Sequence, residues 1–215
     1  VGPKLYEVGW KQLEKTGWIA RVDCTEVRVP MPDSVRMEYA KAEPRHKMRI
    51  AGENPRKLEV VRRLISMHRD EPTIVIGHYI RQLQQIADAV GAPLISGETP
   101  HDARRELYEK FNRGAIRTLV VSKVADFAVN LPDARVAIQV SGSFGSRQEE
   151  AQRLGRILRP KRGDNKAYFY TLVSDGSTEQ RFSAHRRLFL VEQGYRYRIC
   201  DAESCFAPNA EGVPT

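Results

Sequence analysis

The sequence predicts an open parallel α/β sheet with helices on both faces, and three observations carry that prediction. Runs such as Thr73-Ile74-Val75-Ile76-Gly77 and Thr118-Leu119-Val120-Val121-Ser122 are short and apolar throughout, as strands covered on both sides are. Between such runs stand segments whose apolar residues recur at helical spacing. The two kinds of segment alternate from Leu58 to Glu192, the order that right-handed strand–helix–strand crossovers require.

The elements follow in chain order. Asn54-Pro55 supplies a helix cap and a proline for the first turn, and Leu58, Val61, Leu64 and Ile65 form the apolar stripe behind them. After the strand Thr73 to Gly77, a helix from Tyr79 to Val90 carries Ile80, Leu83, Ile86 and Ala87 on one face. A brief strand, Pro93-Leu94-Ile95, precedes a second proline-led helix start, Thr99-Pro100, running to Phe111. Strands Thr118 to Ser122 and Val136 to Val140 come next. Helix Ser146 to Leu158, strand Lys166 to Val173 and a last helix from Ser177 to about Glu192 complete the alternation. Ligands of such sheets bind at the carboxyl ends of the strands. That singles out Gly77-His78, Ser96-Gly97, Ser122-Lys123 and Ser141-Gly142.

Residues 1–30 stand outside the alternation and are expected to be a connector. Within them Trp18 to Val29 alternates with period two, which suits an edge strand or a linker. A single α/β domain is expected over 31–198. A flexible acidic tail is expected over 199–215, where Asp201, Glu203 and Glu211 have no basic residue among them. No internal repeat is visible.

The composition narrows the function classes. The chain has 215 residues, 41% hydrophobic and 29% charged, which excludes a disordered tail and a membrane protein. No apolar run approaches the roughly 18 residues of a membrane span. The opening Val1-Gly2-Pro3-Lys4 lacks the apolar stretch of a secretory signal. Three cysteines, Cys24, Cys200 and Cys205, are too few for a disulfide framework and read as reduced thiols of a cytosolic protein. A metal site at Cys200 and Cys205 would need two further ligands, for which only His185 is at hand.

Charge points to a polyanion. Lys and Arg number 35 against 27 Asp and Glu, a net of +8. Ten basic and five acidic residues fall between Arg147 and Arg187. An excess of this sign favours nucleic acid or nucleotide phosphate through long-range attraction and counterion release.

The informative helix opens with Ser146-Arg147-Gln148-Glu149, a capping box, and is stopped by Pro160. At 100° per residue, Gln152, Arg156 and Arg159 fall within about 60° of one another, opposite Ala151, Leu154, Ile157 and Leu158. Arginines opposite an apolar stripe are commonly the solvated face of a surface helix. Gly155 adds a second signal, because a mid-helix glycine costs about 1 kcal/mol against alanine and suits close approach by a backbone or ligand.

Gln152, Gly155, Arg156 and Arg159 together spell Q-x-x-G-R-x-x-R, which resembles motif VI of the superfamily 2 helicases and translocases. Ser122-Lys123-Val124-Ala125-Asp126-Phe127-Ala128-Val129-Asn130-Leu131-Pro132 resembles motif V of the XPB branch, and Thr73 to Leu83 resembles motif IV. Gly2 to Glu7 followed by Trp10 is similar to the stretch that leaves the first motor domain of XPB-type helicases. The likeness covers about residues 1–198.

The resemblance implies the second RecA-like domain of an XPB-type DNA helicase, unwinding 3′ to 5′ in DNA repair. In that family ATP and Mg²⁺ lie between two lobes and are bound mainly by the upstream lobe, from which residues 1–30 would lead. The second lobe supplies arginine fingers, here Arg156 and Arg159, with Gln152, Gly155 and Asn130 toward the nucleotide. Ser122, Lys123, Thr99 and His78 would contact the DNA backbone. Two positions depart from the common pattern, Ala128 where many members have Gly and Asn130 where many have Asp. The resemblance also implies the upstream lobe and a repair nuclease as partners, and a place with the chromosome: nucleoid-associated cytoplasm in a prokaryote, the nucleus otherwise.

No G-K-[ST] occurs in the sequence, so a P-loop is not expected here and the chain alone is expected to be inactive. Asp70-Glu71-Pro72 precedes its strand and reads as surface charge at a helix end. Ser141-Gly142-Ser143-Phe144-Gly145-Ser146 lacks the lysine of a phosphate loop and reads as a loop near the interlobe cleft. The alternative is a non-catalytic module that docks DNA or a protein partner through Arg181, Arg186 and Arg187 on an exposed last helix.

Overall fold

The computed structural model describes residues 16–17, 20–122, 134–142, 165–192 and 194–206. Strands β1 (Arg21–Val29), β2 (Thr73–Gly77), β3 (Leu94–Ile95), β4 (Thr118–Ser122), β5 (Val136–Gln139), β6 (Lys166–Ser174) and β7 (Arg196–Asp201) form one sheet in the order β3-β4-β2-β5-β6-β1-β7. Every pairing in it is parallel. The described helices are α1 (Asp33–Lys41), α2 (Pro44–Gly52), α3 (Arg56–Met67), α4 (Ile80–Val90), α5 (His101–Asn112) and α6 (Thr178–Glu192), with a 3₁₀ turn at Ser204–Phe206.

Alternation along the strands divides the core between two faces. On one, Val27, Val75, Val120, Ile138 and Leu172 pack with Val60, Val61 and Leu64 of α3 and Leu83 and Ile86 of α4. On the other, Ile74, Ile76, Leu119 and Val121 meet Tyr108 and Phe111 of α5, while Val22, Cys24, Ala137 and Phe169 meet Leu190 of α6. Completely burying side chains of this kind contributes about 1.5–3 kcal/mol each.

Helix starts follow the sequence signals. Asn54 Oδ1 accepts the Arg56 N–H at 3.1 Å, satisfying one of the unpaired amides of the first turn of α3. The Asn54 amide nitrogen faces the other way and donates to Pro30 O and Ser174 Oγ, at 3.2 and 3.1 Å. The cap is thereby also a weld between α3, the end of β1 and the end of β6.

Several sequence expectations are corrected. The connector expected over 1–30 includes β1, which is neither linker nor edge: nine residues register with β6 on one side and six with β7 on the other. Its polar residues hid this; Glu26, for one, finds its partner remote in sequence, Tyr197, whose OH donates to Glu26 Oε2 at 2.6 Å. The acidic tail expected from residue 199 begins instead inside β7, and Cys205 and Phe206 pack against the core. Cys200 and Cys205 are joined as a disulfide, not held as two reduced thiols, while Cys24 is buried on the opposite face. Glu71 is not simply solvated charge: Arg135 Nη1 donates to both of its oxygens, at 3.0 and 3.2 Å, at the amino end of β5.

Candidate functional site

The parallel register aligns the carboxyl ends of the central strands. Gly77 of β2 stands opposite Ser122 of β4, and Ile76 opposite Gln139 of β5. The sheet therefore ends in one row made by Ser122, Gly77-His78 and Val140-Ser141. His78 is exposed, and its backbone N–H donates to Ser141 Oγ at 2.8 Å, tying the turn after β2 to the turn after β5. Gly77 is required by this closeness. A Cβ there would lie 2.7 Å from Leu83 Cδ2, 2.8 Å from Val140 Cγ2 and 3.0 Å from Ser141 Oγ.

The other predicted site residues are placed unequally. Thr99 Oγ1 accepts the Ser96 N–H at 2.9 Å, closing the turn that launches α5, while its carbonyl accepts from Arg104 at 3.2 Å. Ser122 reaches the correct strand end but is 1% exposed, and among the described residues its hydroxyl has no hydrogen-bond partner. At that burial it presents almost no surface to a DNA phosphate. Lys123, Asn130, Gln152, Gly155, Arg156 and Arg159 lie outside the described residues, as do most of the loop from Ser143 and the helix from Ser146.

Sequence reasoning missed the group that fixes this edge. Lys57 is 0% exposed; its Nζ donates to Val140 O at 2.9 Å and to Glu179 Oε2 at 2.8 Å. Glu179 Oε2 also accepts the Ser174 N–H at 2.9 Å. Burial pushes the Lys57 ammonium below the usual lysine range, and Glu179 opposes that shift. One signal was available: Lys57 takes the first place of the stripe Lys57, Val60, Val61, Leu64 that α3 buries, where a charge has no solvent to meet. Its partner, 122 residues away, had none.

Arg186 completes the cluster and is not on the exposed face of the last helix. Its guanidinium packs beside Gly142, where a Cβ would come within 2.9 Å of Nη1 and 3.1 Å of Gln139 Nε2. Arg181 is exposed and Arg187 half-buried.

One further feature lies elsewhere. A concavity of about 880 Å³ sits at the amino ends of β6, β1 and β7, lined by Asp23, His68, Lys166, Tyr168, Arg196 and Arg198 among others. It is remote from the strand ends where ligands of open parallel sheets bind. Among the described residues, no three His, Cys, Asp or Glu side chains gather in a way that could hold a metal ion, and no helix is long and apolar enough to cross a membrane.

Comparison with known proteins identifies the family. The structure is similar to the C-terminal domain of the DEAD-box protein Dbp5, with a TM-score of 0.57 and 11% identity, covering 86% of this chain and 92% of that one. It is also similar to S. cerevisiae Dbp5 bound to RNA and ADP BeF3, with a TM-score of 0.61 and 11% identity over 86% of this chain and 42% of that one. These likenesses show a shared fold, that of the C-terminal domain of a DEAD-box protein. In sequence, the chain is 53% identical over 99% of its length to the DNA 3′-5′ helicase XPB of Kineococcus radiotolerans, of which it spans 39%. It is 51% identical over 97% of its length to the DNA 3′-5′ helicase XPB of Mycobacterium tuberculosis, of which it spans 38%. The XPB subunit of the general transcription and DNA repair factor IIH of Drosophila melanogaster is 42% identical over 93% of this chain and 26% of that protein. The chain thus spans about two-fifths, or less, of these curated relatives. The model of the ERCC3/RAD25/XPB C-terminal helicase family matches residues 13–211, and the chain belongs to that family.

Proposed function

We propose that this chain is the second motor lobe of an ATP-dependent 3′–5′ DNA helicase or translocase acting in DNA repair. The observation that carries this reading is its 53% identity, across 99% of its length, to a relative named DNA 3′-5′ helicase XPB. The row of strand ends at His78 and Ser141 is the edge that would face a nucleotide and DNA, as strand ends do in open parallel sheets.

In this reading Arg156 and Arg159 reach the γ-phosphate of ATP held, with Mg²⁺, mainly by an upstream RecA-like lobe. ATP supplies the phosphoryl group whose transfer drives translocation. The two guanidinium groups neutralise the charge that develops on the phosphate oxygens, a contribution of ~10³–10⁵ in rate for such a finger. Gln152 hydrogen-bonds beside the same phosphates, Gly155 lets the helix approach them, and Asn130 faces the nucleotide. Lys123 and the exposed His78 contact DNA phosphates, with Thr99 holding the turn before α5. Ser122 joins them only if β4's end opens. Such contacts read no base sequence and weaken with salt. The partners are DNA, the upstream lobe and a repair nuclease; the location is the nucleoid in a prokaryote and the nucleus otherwise.

A second reading, a docking module without a role in hydrolysis, is favoured by α6. Leu188 and Val191 are each 53% exposed there, near Arg181 and Arg187. The two readings separate in one experiment: DNA-stimulated ATP hydrolysis by this chain joined to its upstream lobe, with Arg156→Ala and Arg159→Ala. Loss of about 10²-fold or more in kcat with DNA binding retained supports the finger reading. Unchanged rates leave the docking module.

A further inference from the structure

We propose that Lys57 is a positioning residue for ATP hydrolysis, holding the carboxyl end of β5 in place through the Val140 carbonyl. The inference rests on the motor-lobe reading and adds to it a residue in none of the three helicase motifs. Val140 is the last residue before the Ser141-Gly142 turn, from which the chain runs on toward Arg156 and Arg159.

A buried lysine is an expensive way to bind one carboxylate, because a buried ion pair regularly gains little over apolar groups of the same volume. Here the ammonium does more than pair. It donates to Glu179 and, at 2.9 Å, to Val140 O, a carbonyl just beyond the last ladder residue of β5. The same strand end is held from another side, where Ser141 Oγ receives the His78 N–H, and the Arg186 guanidinium stands close enough to Gly142 that a Cβ there would come within 2.9 Å of Nη1. Glu179 in turn holds the end of β6 through Ser174 N–H. Lys57 therefore joins the start of α3, the start of α6 and the ends of β5 and β6 at the edge where the chemistry is placed. Misplacing a reacting group by about 1 Å can cost 10²-fold in rate, so a fixed strand end matters for turnover and little for ground-state affinity.

Two substitutions in the enzyme carrying both lobes separate positioning from mere stability. Glu179→Gln removes the ion pair but leaves Lys57 to donate to Val140 O. Lys57→Met removes the donor as well. Both are expected to lower the thermal midpoint. Only Lys57→Met is expected to lower kcat for DNA-stimulated ATP hydrolysis, by about 10-fold or more, with KM for ATP and DNA affinity within about twofold. If Lys57→Met does not fold, the double variant Lys57→Met with Glu179→Gln, which buries no unpaired charge, is expected to show the same fall in kcat. The proposal is overturned if the Lys57 variants keep the parental kcat, or if Glu179→Gln loses as much of it as they do. Arg156→Ala measured alongside reports on the finger reading separately, since its silence would remove that reading whatever the Lys57 result.

Discussion

His68 closes α3 with its ring against two tyrosines of β6. Its Nε2 lies 2.8 Å from Tyr170 OH, and its ring centroid is 4.6 Å from that of Tyr168. Burial depresses its pKa below the usual 6.5; Lys166 adds to that depression and Glu71 partly offsets it. The unfolded chain then binds the proton more readily than the folded one. Stability from this residue is complete above the unfolded value and is lost as pH falls from about 6.5 through the folded pKa. His68→Gln is therefore expected to shrink the fall in urea midpoint between about pH 7 and about pH 5, measured by circular dichroism. An unchanged fall would show that the histidine titrates alike in both states. Lys57 illustrates the limit of reading single residues. Its misfit on an apolar stripe was visible in the sequence, but Glu179, Val140 O and Arg186 are brought to it only by the closed sheet.

At the scale of elements, legibility followed amphipathicity. Helices α3 and α4 bury distinct stripes; α3 starts at the Asn54-Pro55 signal, and α4 runs Ile80–Val90 where the sequence predicts Tyr79 to Val90. Helix α1 buries no residue, and α2 buries only Met48, Ala51 and Gly52; neither leaves an apolar stripe to find, and neither was foreseen. The candidate site was legible as strand ends, because parallel strands announce their direction. It was not legible as a hydrogen-bonded edge, since that depends on which strands are neighbours. The contact of β2 with β5 makes a specific demand at Gly77. Gly77→Ala pushes a methyl group against Leu83, Val140 and Ser141, and the buried strand cannot swing aside. The expected cost is about 1–3 kcal/mol, read as a lower urea midpoint with unchanged slope. A neutral result would mean that the β2 and β5 ends part easily, which would also weaken the case for a rigid edge.

At the scale of the whole molecule, the decisive feature is the strand that comes first among the described residues and is paired on both sides. β1 lies sixth of seven in order, so residues 21–29 must find residues 166–174 and 196–201 across most of the chain. Val22, Cys24, Glu26, Val27 and Val29 are all at most 2% exposed, and β7 is held to the sheet through β1. A domain cut at residue 31, where the change in sequence pattern suggests a boundary, would leave β6 with a bare edge and β7 with no strand to pair with. Unpaired parallel strands bury backbone groups without partners and invite association. The chain begun at residue 31 is therefore expected to lose cooperative thermal unfolding and to aggregate, whereas the chain from residue 1 unfolds cooperatively; scanning calorimetry with light scattering compares them directly. A cooperative, monomeric melt from the shortened chain would mean that β6 and β7 can close on each other, and that β1 is an accessory of the sheet instead of one of its interior strands.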